Sequence, residues 1–139
     1  MAAVGFTVNE NEYLIGTSDF LHSFFSTIAY NLERKNWGSR YPYLMNELYM
    51  GELKKEHVQA AIKELDTITA GLKNFKPDRV IWDIEDLSKQ PPWGKDISSD
   101  ITDLSNYFVT YDGEDLISVL RGALVEASEA GVGMKIEKF

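Results

Sequence analysis

Val4-Gly5-Phe6-Thr7-Val8, Asn9-Glu10-Asn11, Glu12-Tyr13-Leu14-Ile15-Gly16 and, soon after, Ser18-Asp19-Phe20-Leu21-His22-Ser23-Phe24-Phe25 decide the fold class. Two short runs of strand-forming residues on either side of a polar turn read as a β-hairpin. Ser18 can cap a helix, and from there Phe20, Leu21, Phe24, Phe25, Ile28 and Leu32 recur at the i, i+3, i+4, i+7 spacing of one helical face ending near Lys35. A hairpin that runs directly into an amphipathic helix opens an α+β arrangement rather than a regular β-α alternation.

Working outward, Trp37-Gly38-Ser39-Arg40 interrupts the helical pattern, and Pro42 suits the first turn of a short helix through Leu44, Met45 and Leu48 to Gly51. A longer helix is predicted from about Lys54 to Leu72. Val58, Ala61, Ile62, Leu65, Ile68 and Leu72 form its apolar stripe, with Lys55, Glu56, Lys63, Glu64 and Asp66 toward water. Arg79 to Glu85 alternates like a strand, placing Val80, Trp82 and Ile84 on one face and Ile81, Asp83 and Glu85 on the other. Ser88 to Gly94 contains Pro91-Pro92 and is a loop, because adjacent prolines remove two amide donors and fix φ. Tyr107 to Tyr111 has strand composition, Asp112-Gly113 turns the chain, and Leu116, Ile117, Leu120, Leu124 and Ala127 mark a last helix up to Gly131. Val132 to Glu137 fits a closing strand. The expected architecture is α+β, with a small, mostly antiparallel sheet packed with three main helices in one domain over residues 1–139.

The composition supports such a core. Of 139 residues 44% are apolar and 12% aromatic, enough buried surface to offset the entropy of ordering the chain. There is no cysteine, which removes disulfides, thiolate metal sites and cysteine nucleophiles and fits a reducing compartment. No basic segment followed by an apolar run opens the chain, and no stretch approaches the ~20 apolar residues of a membrane helix. The expectation is a cytoplasmic protein without a membrane partner.

Charge carries the first functional information. The formal net charge is −8, and the acids are not evenly spread. Between Asp78 and Asp115 lie Asp78, Asp83, Glu85, Asp86, Asp96, Asp100, Asp103, Asp112, Glu114 and Asp115, against Arg79, Lys89 and Lys95, a net of −7. Such a surface repels a phosphate backbone and attracts a basic protein. Trp93, Tyr107 and Tyr111 fall in the same window, and rings beside acids have the composition of a protein-binding hot spot. Asp83, Glu85, Asp86, Trp93, Asp96, Asp100, Asp103, Tyr107 and Asp112 are therefore the candidate partner-binding residues. A solubilising acidic face is the plainer reading of the charges alone.

Catalytic signals are weak by comparison. No phosphate-binding glycine loop and no His-Glu-x-x-His is present, and the two histidines, His22 and His57, stand apart in sequence. Asp83 and Glu85, two apart on a predicted strand, offer paired carboxylates, which makes a small metal-dependent hydrolase one alternative. A general protein-binding adaptor is another. No catalytic, cofactor-binding or metal-binding residue is assigned, and no cofactor is expected.

Four segments, Ile15 to Phe25, Met45 to Tyr49, Val80 to Leu87 with Gln90-Pro91-Pro92-Trp93-Gly94, and Tyr107 to Thr110, together resemble the immunity protein 70 family of bacterial toxin–immunity systems. The resemblance runs from about Val4 to Glu137. It implies a non-catalytic α+β protein encoded beside a polymorphic or contact-dependent toxin, protecting the producing cell by binding the C-terminal toxin domain. The acidic window adds the expectation that this toxin is a basic nuclease. The resemblance carries no residue-level assignment.

Overall fold

The computed structural model describes residues 3–94 and 96–138. Lys95, one of the three bases in the acidic window, lies outside them. Strand β1 (Ala3–Val8) turns back into β2 (Asn11–Thr17), with Asn9 at the left-handed φ of 56° that asparagine tolerates in a tight turn. Val4, Phe6 and Val8 alternate inward and are buried. The register shifts between Val4 and Gly5, so that Ile15 is the extra residue of a β-bulge. The bulge buries Ile15 completely and frees its carbonyl to accept the amide of Tyr111 at 2.9 Å.

Helix α1 (Ser18–Leu32) follows at once. Its cap is Thr17, one residue before the expected Ser18, and the Thr17 hydroxyl accepts the amide of Phe20 at 3.1 Å. The predicted stripe of Phe20, Leu21, Phe24, Phe25, Ile28 and Leu32 is buried throughout. Tyr43–Leu48 form a short π-helix, β3 (Glu52–Leu53) follows, and a single 3₁₀ turn leads into α2 (Val58–Leu72). Helix α3 (Leu116–Ala130) starts at an Asp115 cap and ends at Gly131, whose φ of 69° supplies the left-handed stop. Strand β4 (Met134–Lys138) then pairs antiparallel with both β1 and β3, giving the order β2-β1-β4-β3. An antiparallel four-stranded sheet with three main helices makes this an α+β fold, as expected.

Helices α1 and α3 pack on the sheet and α2 packs against both, around one apolar cluster that includes Phe6, Phe24, Leu65, Leu120 and Met134. Gly133 admits the closest backbone approach, since a side chain there would meet the carbonyl of Leu53.

Several local expectations are corrected. Glu52 and Leu53, between the two expected helices, are an edge strand held by β4. Glu64 does not face water: its carboxylate accepts the amides of Leu44 (2.9 Å) and Tyr43 (3.2 Å) and so caps the π-helix. Burial pushes its pKa up, against the lowering effect of those amides.

Arg79 to Glu85 is not a strand. The Ile81 amide donates to the Thr27 hydroxyl (3.0 Å), while the Ile81 carbonyl accepts from Ser23 (2.8 Å) and Thr27 (3.1 Å). Ile84 donates to Ser26 at 3.2 Å. Buried hydroxyls on α1 therefore satisfy backbone groups that would otherwise need a sheet. Tyr107 to Tyr111 likewise does not join the sheet as a strand; among the described residues its ladder contact is the isolated bridge between Val109 and Asp115.

Candidate docking groove

The loops between α2 and α3 build a concave surface together with the end of β2 and the start of α1. Its floor is the bulged end of β2 and the start of α1, namely Ile15, Gly16, Thr17 and Phe20. One wall is Trp93, Asp96, Ile97, Ser98 and Ile101; the other is Tyr107, Val109 and Tyr111. The groove encloses about 400 Å³ and its lining is mainly apolar. Among the described residues that line it none is basic. The bulge at Ile15 positions the floor and, through Tyr111, fixes one wall to it.

The walls are held by short-range geometry. Gly94 donates to the Pro91 carbonyl at 2.9 Å and Asp96 donates to the Trp93 carbonyl at 3.0 Å, two consecutive turns around buried Pro91. Trp93 packs edge-on against Trp82, with ring centroids 5.5 Å apart, and its indole N–H donates to the Tyr107 hydroxyl at 2.8 Å. Its ring remains 38% exposed. Asn106 accepts the amides of Thr102 and Asp103, which closes the turn leading into Tyr107. The Thr110 hydroxyl donates to Asp112 at 2.6 Å and accepts the Glu114 amide at 3.0 Å, closing the turn beyond Tyr111.

A smaller recess lies on the other side of the Trp82–Trp93 pair, lined by Asp19, His22, Trp82, Asp83 and Lys89. There Asp83 meets His22 Nε2 at 3.3 Å and Lys89 Nζ at 3.5 Å. The Glu85 amide, then His22 and Lys89, hold the Asp83 carboxyl below its ordinary range. His22 Nδ1 faces the Tyr49 hydroxyl at 2.8 Å, and its ring stacks on Trp37. Burial, followed by the charges of Glu85 and Asp83, pushes the Tyr49 pKa up, so Tyr49 keeps its proton at neutral pH. This chain of contacts clasps the 81–89 loop to α1.

The nine candidate binding residues thus divide. Trp93, Asp96 and Tyr107 line the groove, while exposed Asp100 and Asp112 adjoin its lining residues Ile101 and Tyr111 in sequence. Tyr107 is only 5% exposed and acts from beneath, through Trp93. Asp103 is half-buried and accepts from the amide and hydroxyl of Ser105; burial raises its pKa, but these bonds win and the net shift is downward. Asp83 belongs to the second recess, and Glu85 and Asp86 are exposed on the clasped loop. Because that loop is not a strand, Asp83 and Glu85 do not share a strand face. Among the described residues no three His, Asp or Glu side chains converge as metal ligands would.

Sequence reasoning missed the aliphatic half of the site. Ile97, Ile101 and Val109 line the groove, and Tyr111 is its most exposed ring at 76%. Ile97 and Ile101 are isolated apolar residues in a polar stretch, and that was the available signal.

An α+β body presenting a preformed apolar groove among acidic loops has the form of a protein-binding protein. Residues 6–136 match the family model described as immunity protein 70, and the chain belongs to that family. It is accordingly an immunity protein directed against a toxin. Among curated proteins and solved structures, none matches the chain. No described helix is long and apolar enough to cross a membrane.

Proposed function

We propose that this chain neutralises a nuclease toxin in the cytoplasm of the cell that produces both, as one module of a polymorphic or contact-dependent toxin system. In this reading the acidic loops between α2 and α3 cover the toxin's phosphate-binding surface, with Asp83, Glu85, Asp86, Trp93, Asp96, Asp100, Asp103, Tyr107 and Asp112 in or directly beneath the interface. The observation that carries it is the coincidence of two features in one stretch of chain. Residues 78–115, which hold a net −7 of the −8 charge, also build the groove walls that carry Trp93 and Tyr111.

A nuclease must hold phosphates in a basic cleft, and an acidic partner with exposed rings meets that cleft with both charge and apolar area. Protection leaves almost no free toxin, so the complex has a dissociation constant of about 1 nM or below and buries ~1,600 Å² or more. Co-expression with the toxin domain encoded beside this chain tests the reading. Wild-type protein restores growth, and charge reversal at Asp96, Asp100 and Asp112 together abolishes rescue while the variant remains folded. Full rescue by that variant would refute the acidic interface.

A further inference from the structure

We infer that the groove between Trp93 and Tyr111 is an arginine socket: it takes the side chain of one exposed arginine from the toxin, with the guanidinium stacked on the Trp93 ring and paired with Asp96. The inference rests on the proposed immunity reading for its partner, but the chemistry of the socket stands on its own geometry.

Three features select this occupant. First, the floor and walls are aromatic and aliphatic, so a long apolar stem gains by leaving water there. Second, Trp93 already spends its indole N–H on Tyr107 and packs nearly perpendicular to Trp82, which fixes the ring, while the residue stays 38% exposed where it lines the groove. An indole face is the strongest aromatic partner for a cation. Third, Asp96 stands in the same wall with an exposed side chain, and Asp100 and Asp112 are exposed on adjoining turns.

A purely apolar occupant would strip water from Asp96 without replacing its hydrogen bonds, which is unfavourable. A lysine would supply charge but neither the planar stack nor the paired donors that a carboxylate accepts from a guanidinium. The volume, about 400 Å³, lies in the range of pockets that enclose small ligands. An arginine is also the residue that a phosphate-binding cleft carries, so occupying the socket would withdraw a phosphate ligand from the toxin.

The test has two arms. In the first, the full chain is titrated by NMR with a blocked Gly-Arg-Gly tripeptide, and with the same peptide carrying citrulline or leucine in place of arginine. The arginine peptide produces saturable shifts at the Trp93 indole N–H and at the Ile97 and Val109 amides. Citrulline binds about tenfold more weakly, and Asp96→Asn reduces arginine binding by a similar factor, the usual scale for losing one charge-assisted contact. Trp93→Leu abolishes the shifts. Equal binding of the leucine peptide, or no saturable shift with the arginine peptide, overturns the socket.

In the second arm the adjacent toxin domain is the ligand. Trp93→Leu weakens its binding about 30-fold or more, as for a central aromatic anchor, and Asp96→Asn about tenfold. Toxin binding that ignores both substitutions overturns the socket and leaves the immunity reading intact. Peptide binding in the socket, together with failure of the wild-type chain to bind the toxin, supports the socket and overturns that pairing.

Discussion

The indole of Trp93 donates its N–H to the hydroxyl of Tyr107 across 2.8 Å, joining an exposed ring to a buried one. Tyr107 in turn packs edge-on against Phe108, and Phe108 against Phe20 and Phe24 of α1. The surface ring is therefore tied through consecutive aromatic contacts to the central core. Such an anchor loses little side-chain entropy on binding, because its orientation is already set before a partner arrives.

Tyr107→Phe removes only the acceptor oxygen. The packing of the ring is kept, and burial already pushes the phenol pKa up, so no charge is lost at neutral pH. Folding stability should fall by about 1 kcal/mol, the worth of one hydrogen bond, as read by urea denaturation. Partner affinity should fall as well, while Trp93 fluorescence reports a less ordered ring. Unchanged fluorescence would show that Trp82 alone holds Trp93.

Thr27→Val tests how the 81–89 loop is held. The substitution is nearly isosteric, yet it removes the acceptor for the Ile81 amide and one of two donors to the Ile81 carbonyl. Leaving a partly buried amide unpaired should cost about 1 kcal/mol or somewhat more. Ser23→Ala should cost less, because Thr27 still reaches the same carbonyl. Hydrogen exchange at Ile81 should accelerate in the Thr27 variant and much less in the Ser23 variant.

These hydroxyls also explain which parts of the fold could be read in advance. The hairpin and the three helices were legible because their apolar residues recur at the period of the element that buries them. The segments around Val80 and Tyr107 show strand-like sequence because both are rich in β-branched and aromatic residues that the core takes up: Val80, Trp82 and Ile84 pack against it and Tyr107 and Phe108 are buried in it. Burial alone does not specify a hydrogen-bond partner, and here that partner is Ser23, Ser26 and Thr27 of a helix or the bulged Ile15 of β2. The acidic and aromatic composition of the groove was visible in the sequence. The separation of Asp83 into its own recess was not, since it depends on His22, sixty-one residues away in the chain.

The pH dependence of stability should have two opposing components. Asp83 has a folded pKa below its ordinary value of 3.8, through the Glu85 amide and then His22 and Lys89. Glu47 also lies below its ordinary 4.5; burial raises it, but the Lys54 amide and His57 outweigh burial. A depressed acid stabilises the fold above its unfolded pKa, and that contribution is lost as the pH falls through the folded value. Glu64 is raised by burial, so its contribution is complete below 4.5 and is lost as the pH rises through its folded value. Urea titrations across the acid range should show Asp83→Asn flattening the decline below 3.8, and Glu64→Gln flattening the change above 4.5.

Glu33 should prove the most costly polar residue to remove. It is 2% exposed at the end of α1, and its two carboxylate oxygens accept the amides of Gly38 (2.9 Å), Arg40 (2.9 Å) and Tyr41 (3.0 Å). The connection from α1 to the π-helix thus folds around one buried carboxyl group, while Arg40 donates back to the Leu32 carbonyl at 2.9 Å. Glu33→Ala strands three amides at once and opens space beneath them, and the loss should be at least about 3 kcal/mol. Glu33→Gln keeps the shape and one acceptor oxygen but turns the second position into a donor facing an amide, so it should recover only part of that stability. A thermal scan of the pair distinguishes the two contributions. Should the glutamine variant match wild type, shape rather than charge organises this loop.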